Sequence, residues 1–355
     1  MPTRVRIGTR ASALALTQTG HVATALASTG TLDAEIVRVR TDGDRLTGSL
    51  STLGGTGVFV TALRDALLAG EVDVAVHSLK DLPTAPTEGI ALGAIPPRED
   101  PRDVLCAREG WTIATLPAGA RVGTGSPRRK AQLLAARPDL DVVDIRGNVD
   151  TRLGRVAPGD LDAVILARAG LSRLGRLDAV TEVIDPAVMT PAPGQGALGV
   201  EVRSPGTVES LGEDLAEALA RLDDPRSRLA VFAERTLLFH LEAGCAAPVG
   251  AHAWIDDSAP DEPRLVLDAV VISLDGSTEL RRSGSVLLRM PPKGPAPGLA
   301  PIALSPVLHG QSAYDDLALA LGHAVADDLL TSGAAKVAEV GPAGASNAAA
   351  PGDQR

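Results

Sequence analysis

Carboxylate or phosphate recognition is the chemistry most legible in this chain, because arginine gathers in two short motifs of an otherwise acidic sequence. The motifs are Gly123-Thr-Gly-Ser-Pro-Arg128-Arg129 and Arg146-Gly-Asn-Val-Asp-Thr-Arg152, against a net charge of −10. In the first, Ser126 reads as an N-cap and Pro127 as the first residue of a helix running through Lys130-Ala-Gln-Leu-Leu. Arg128 and Arg129 then fall in the first helical turn, where the helix dipole disfavours cations. Free N–H groups and two guanidiniums at one helix start form an anion site. The plainer alternative is a solvated helix end with harmless arginines.

Other polar residues fall where ligands gather in α/β sheets, beyond the carboxyl ends of strands. Thr9-Arg10-Ala-Ser12 follows the first predicted strand and His77-Ser78-Leu-Lys80-Asp81 the third. A lysine beside an aspartate is by default a surface ion pair of little energetic weight. Arg146, Arg152 and Arg173 follow later strands or begin helices. With Arg10, Arg128 and Arg129 they make a cluster that calls for a polyanion, and bidentate carboxylate binding suits arginine best. Cys245 lies in Leu241-Glu-Ala-Gly-Cys, just past a predicted helix, where a thiol is placed to react or to carry a group. Cys106, inside the apolar Val104-Leu-Cys-Ala, reads as structural. No cysteine/histidine cluster points to a metal, and His77 is as well read structural as catalytic. Gly54-Gly-Thr-Gly is a weak nucleotide signal without a strand–loop–helix frame.

The elements that must position these residues alternate short apolar runs with amphipathic stretches, an α/β pattern. Val5-Arg-Ile-Gly is a strand, and Ser12 caps a helix from Ala13 towards Ala27. Glu35-Ile-Val-Arg-Val-Arg is a second strand, Val58 to Leu68 a helix closed by Gly70, and Val72-Asp-Val-Ala-Val-His a third strand. The Gly/Thr/Ser-rich stretch 41–57 reads as a mobile loop. Pro96-Pro-Arg-Glu-Asp-Pro101 reads as a hinge and Pro191-Ala-Pro-Gly-Gln-Gly196 as the return crossing. Strands are expected near 120–123, 141–145, 162–167 and 265–274, with a long helix from Arg226 to Leu241. Hydrophobic residues make up 45% but aromatics only 2%, so the cores must be aliphatic. The acidic balance argues against nucleic-acid binding, and no apolar run reaches membrane-spanning length. Two cysteines make no disulfide framework and fit a reducing compartment, so a cytoplasmic location is expected.

His-Ser-Leu-Lys-Asp at 77–81, Gly-Thr-Gly-Ser-Pro-Arg-Arg at 123–129 and Arg-Gly-Asn-Val-Asp-Thr-Arg-Leu at 146–153 occur in one order. They are followed by Leu-Ala-Arg-Ala-Gly-Leu-Ser-Arg-Leu-Gly at 166–175, Pro-Ala-Pro-Gly-Gln-Gly-Ala-Leu-Gly-Val-Glu at 191–201 and Leu-Glu-Ala-Gly-Cys at 241–245. Together they resemble the porphobilinogen deaminase (hydroxymethylbilane synthase) family. The resemblance runs from Arg6 to about Gly250. It implies an α/β fold with two periplasmic-binding-protein-like (type II) lobes around a cleft and a smaller α+β C-terminal domain. Domain 1 would be 1–97 with 196–216, domain 2 98–193, and domain 3 220–340. Domain 3 would hold an irregular insertion near 290–310, with a disordered tail at 341–355.

The resemblance further implies a dipyrromethane cofactor joined by thioether to Cys245. Four porphobilinogen molecules would add head to tail with loss of ammonia, before hydrolysis frees a linear tetrapyrrole. Acetate and propionate on every pyrrole would account for the arginines. Deamination passes through an azafulvenium cation, and the family's catalytic aspartate, which stabilises positive charge and takes part in proton transfer, matches Asp81. Lys80, Ser126, Arg128, Arg129 and Arg152 would hold the cofactor carboxylates, and Arg10, Ser12, Arg146 and Arg173 the substrate. No metal is expected, nor any nucleic-acid or membrane partner, and the enzyme would be a monomer. The chain departs from the pattern at Thr56 and Thr61, where relatives often have lysine, at Thr41-Asp42-Gly-Asp44, and at Gly125 and Pro127. A non-enzymatic anion-binding protein of the periplasmic-binding type is the main alternative. A thiol transferase turning over on Cys245 is a second, weakened because His240 is the nearest base in sequence.

Overall fold

The computed structural model describes residues 1–39, 57–204, 212–243, 247–288, 312–338 and 340. The expected loop at 41–57 (but for Gly57), the Gly54-Gly-Thr-Gly run, Asp42, Asp44, Thr56, Cys245, the 290–310 insertion and the 341–355 tail lie outside them. In chain order the elements are β1 (Thr3–Thr9), α1 (Ala13–Ala27), β2 (Leu32–Arg38), α2 (Gly57–Leu68), β3 (Val74–Ser78) and β4 (Ile90–Ala94). Next come β5 (Asp103–Ala107), β6 (Arg121–Gly123), α3 (Pro127–Ala136), β7 (Asp141–Val143), α4 (Val149–Leu153), β8 (Ala163–Ala167), α5 (Arg168–Arg173) and β9 (Glu182–Val183). β10 (Leu198–Arg203), α6 (Glu213–Leu222), α7 (Pro225–His240), β11 (Val249–Asp256), β12 (Arg264–Ile272), β13 (Glu279–Leu287), α8 (Ala313–Thr331) and α9 (Ala334–Val337) complete the chain. Contacts gather these into two compact units. One holds Met1–Glu99, Gly194–Leu229 and Pro292–Asp316, and the other holds Asp100–Pro193, Ala230–Pro291 and Leu317–Arg355.

Both units are built on a five-stranded sheet of the same plan. The first has the order β2-β1-β3-β10-β4 and the second β7-β6-β8-β5-β9. In each, β1, β2 and β3, or β6, β7 and β8, run parallel, while β10 or β5 enters antiparallel between its neighbours. The antiparallel strand is the one the chain contributes as it passes between units: β5 on arrival in the second, β10 on return to the first. Helices cover both faces. In the first unit α1 and α6 bury Val22, Leu26, Leu215 and Leu219 on one face, and α2 buries Leu63 and Leu67 on the other. In the second, α3 contributes Leu133 to one core and α5 contributes Leu171 to the opposite one. These cores are almost wholly aliphatic, as the composition requires.

A separate antiparallel meander, β11-β12-β13, follows in the second unit. β12 alternates partly buried and buried residues before turning fully buried, and its Val270 and Ile272 pack with Ala131 of α3. The helix carrying Arg128 and Arg129 is therefore gripped from two sheets. The expected strand at 35–40 starts three residues earlier, at Leu32. β5 and β10 were not among the expected strands; both are buried on both faces, as β3, β4 and β8 also are.

Candidate active site

Arg10, Ser12 and Asp81 come together in the first unit, at the carboxyl ends of β1 and β3. They line a cavity of about 100 Å³ with Leu14, Gln18, His77 and Ser78 among its walls. Ser12 caps α1 as expected, its hydroxyl accepting from the Ala15 N–H at 3.3 Å. Gln18, two helical turns on, bonds Ser78 at 2.9 Å and ties α1 to the end of β3. A short 3-10 turn over Leu79–Asp81 then swings Asp81 to the cavity, where no hydrogen bond or ion pair reaches its carboxylate among the described residues. Lys80 turns aside to Gln195, with Nζ 3.3 Å from the amide oxygen. Gln195 lies on the return crossing, which is fastened beneath this turn: Leu79 N donates to Ala197 O and Arg98 Nε to Gln195 O. Gly194 permits that approach. Its φ is +73° and a Cβ there would stand 3.3 Å from the Lys80 nitrogen.

Behind the cavity, on the face of the first sheet covered by α2, sits the fully buried Glu201 of β10. Arg64 of α2 forks onto it with Nε at 3.1 Å and Nη2 at 2.7 Å, and also reaches Thr87. His77 Nε2 lies 3.3 Å from the same carboxylate. Burial alone would raise the Glu201 pKa, but His77 and Arg64 outweigh it and hold the carboxyl at about 2.

The second unit gathers the other arginines. Ser126 caps α3 and Pro127 opens it, as the sequence indicates. The two arginines of the first turn are buried and share one carboxylate that the sequence reading missed, Asp103 at the start of β5. Arg128 Nη2 lies 2.8 Å from Oδ2 and Arg129 Nη2 2.8 Å from Oδ1. Asp103 thus supplies the anion that the helix start needs. Two cations on one anion leave positive charge over. Burial, more than repulsion from Arg129, lowers the Arg128 pKa, and its Nε has no hydrogen-bond partner among the described residues. Gly125 lets the loop pass closely, since a Cβ there would meet the Ile145 oxygen at 2.5 Å.

Arg152 donates from Nε to Gly147 O. Its pKa is lowered by burial first and then by Arg129 and Arg146, with Asp144 alone pulling the other way. Arg146 is exposed and 3.5 Å from Asp144. Arg129 and Arg146 therefore both repel Arg152, a cost that a bound polycarboxylate would relieve. Arg173 ends α5, which begins directly after β8. Cys106 is buried, its thiol pushed up to about 12, in keeping with a structural role. Gln18 was detectable in retrospect from its helical spacing with Ser12 and Ala15. Asp103 and Glu201 were not, because their partners are distant in sequence.

Residues 5–208 match the profile described as "Porphobilinogen deaminase, dipyromethane cofactor binding domain", and residues 228–288 that of "Porphobilinogen deaminase, C-terminal domain". The chain belongs to the porphobilinogen deaminase family. It is 53% identical to a porphobilinogen deaminase of Micrococcus luteus, covering 93% of both chains. To that of Cutibacterium acnes it is 52% identical, over 96% of this chain and 98% of the other. Among solved structures, it is similar to a YaeC-family lipoprotein from Enterococcus faecalis V583. That match has a TM-score of 0.35 and 13% identity, and covers 61% of this chain and 91% of that one. The family's cofactor-binding domain thus spans both five-stranded sheets, and its C-terminal domain the three-stranded meander.

Proposed function

We infer that this chain is a transferase of porphyrin biosynthesis, a hydroxymethylbilane synthase. It joins four porphobilinogen molecules head to tail, releases ammonia at each addition and frees the linear tetrapyrrole by hydrolysis. The observation that carries this reading is the carboxylate of Asp81, unpaired among the described residues, beside Arg10 and Ser12 in one cavity, in a chain of this family. When bound, the dipyrromethane group supplies the two-pyrrole chain on which substrate units are assembled. The residues present suit such a group: Arg129 and Arg146 both repel Arg152, and Arg128 Nε lies buried without a partner among the described residues.

Arg128, Arg129 and Arg152, with Ser126 and Lys80, hold the cofactor carboxylates, and Cys245 is its point of attachment. Arg10, Ser12, Arg146 and Arg173 hold the carboxylates of the arriving substrate. Asp81 faces the reacting ring and stabilises the positive charge that develops as ammonia leaves. Three domains, 1–97 with 196–216, 98–193 and 220–340, remain our division of the chain. The family's separate C-terminal profile supports it. We also propose a cytoplasmic monomer without nucleic-acid or membrane partners. In support, the net charge of −10 repels polyphosphate, and no described helix is long and apolar enough to cross a membrane.

Asp81→Asn keeps the side chain's shape and removes its charge. The variant is expected to fold and carry the covalent group, with turnover of porphobilinogen reduced at least about 100-fold. Near-normal turnover would remove Asp81 from the mechanism.

A further inference from the structure

We propose that Gln132 is a positioning residue of the cofactor site, holding the Thr190 backbone so that the Thr190 carbonyl receives Arg128. The proposal rests on the transferase reading above, in which Arg128 holds a cofactor carboxylate. Gln132 follows Arg128 by one turn of α3, so the two side chains share a face of the helix. Gln132 and Thr190 are each 1% exposed. The Gln132 amide meets Thr190 at two points: Nε2 donates to Thr190 O at 3.1 Å, and Oε1 accepts from Thr190 N at 2.8 Å. Arg128 Nη1 donates to the same carbonyl oxygen, while its Nη2 donates to Asp103 Oδ2 at 2.8 Å. Each terminal nitrogen of the guanidinium thus has an acceptor, and Nε is the one without a partner among the described residues.

The two acceptors of Arg128 differ in how they are held. Asp103 belongs to β5, whereas Thr190 lies in an irregular stretch after β9, where no ladder fixes its backbone. Pro191 limits Thr190 to extended conformations, and the Gln132 amide fixes the peptide groups on both of its sides. The C-terminal meander holds the rest of this segment. Arg281 Nη1 of β13 donates to Thr190 Oγ1 at 3.0 Å, that hydroxyl donates to Pro186 O at 3.0 Å, and Ala251 N of β11 donates to Pro191 O at 2.9 Å. Among the described residues, only Arg128 and Gln132 donate to the Thr190 oxygen. The position therefore calls for a donor and an acceptor in one uncharged side chain, which an amide supplies. A glutamate could accept from Thr190 N but could not donate to Thr190 O. Since the Gln132 and Arg128 donors converge on one oxygen, its charge would also offset the surplus positive charge that a cofactor carboxylate needs. A methionine would fill the space with neither group.

The test uses the full chain produced in cells that make no porphobilinogen. Porphobilinogen is then added, and the gain of covalent adduct is followed with time by intact mass, with thermal unfolding measured on the same samples. Gln132→Met and Gln132→Glu are compared with the parent and with Leu116→Ala, which opens a cavity in the core under α3, at the amino end of β6 and away from Thr190. Both Gln132 variants should load about tenfold more slowly than the parent, the effect of one lost hydrogen bond to a charged group. Leu116→Ala should melt lower than the parent yet load at the parent rate, so that slow loading is separated from loss of stability. If Gln132→Met does not fold, Gln132→Glu decides alone, since it keeps the acceptor for Thr190 N and places its charge beside Arg128. Parent-rate loading of Gln132→Glu, or equal slowing in Leu116→Ala, would overturn the positioning role. A parent that gains no adduct from porphobilinogen would instead overturn the transferase reading.

Discussion

Arg128 and Arg129 share a single buried carboxylate, so replacing one does more than remove a ligand contact. Arg128→Leu leaves Asp103 with half its compensation inside the protein, and breaking a buried pair costs about 3–5 kcal/mol. The variant is expected to melt lower than the parent and to be isolated with little covalent adduct, as read by thermal unfolding and intact mass. Arg146 is the contrasting case, exposed and 3.5 Å from Asp144, its one ion partner among the described residues. Arg146→Leu should keep stability and adduct but stall elongation, with enzyme carrying one or more added pyrroles visible as a mass ladder. A lost charge-assisted contact of about 1.5–3 kcal/mol should slow the step roughly 10- to 150-fold. Equal adduct and the same ladder in both variants would show that the arginines do not divide between cofactor assembly and chain growth.

At the scale of elements, β3, β10 and α2 meet through Glu201, and their union is sensitive to acid. The folded-state pKa of Glu201 is about 2, below the 4.5 of an ordinary glutamate. The unfolded chain therefore binds the proton more readily, and the stabilisation is whole above pH 4.5 and lost as pH falls towards 2. It amounts to about 3 kcal/mol. Urea midpoints measured from pH 5 to 2.5 should fall through that window in the parent. Glu201→Gln, already weaker at pH 7, should show a shallower fall, and equal slopes would contradict the assignment. What the sequence discloses divides along the same line. The starts of α1 and α3 were readable because Ser12, Ser126 and Pro127 act on their own next turn. Asp103 with Arg129, and Glu201 with Arg64, pair across 26 and 137 positions, and only the sheet order brings them together. β5 and β10, which carry the two acids, are buried on both faces, as β3, β4 and β8 also are.

Across the whole molecule, one sheet plan occurs twice, and each sheet receives an antiparallel strand where the chain passes between units. Asp81, Arg10 and Ser12 belong to the first unit, and the arginines of α3 and α4 to the second. The His-Ser-Leu-Lys-Asp turn rests on the return crossing through Gly194 and Gln195, so chain topology and the proposed catalytic turn are a single construction. The central claim is that this construction works on a chain anchored permanently at Cys245, and the intact mass of the purified protein tests it most directly. The parent is expected to exceed its sequence mass by a two-pyrrole adduct that persists through turnover, and Cys245→Ser to have the bare sequence mass and no activity. An active parent at the bare sequence mass, or the same adduct on Cys245→Ser, would contradict the account.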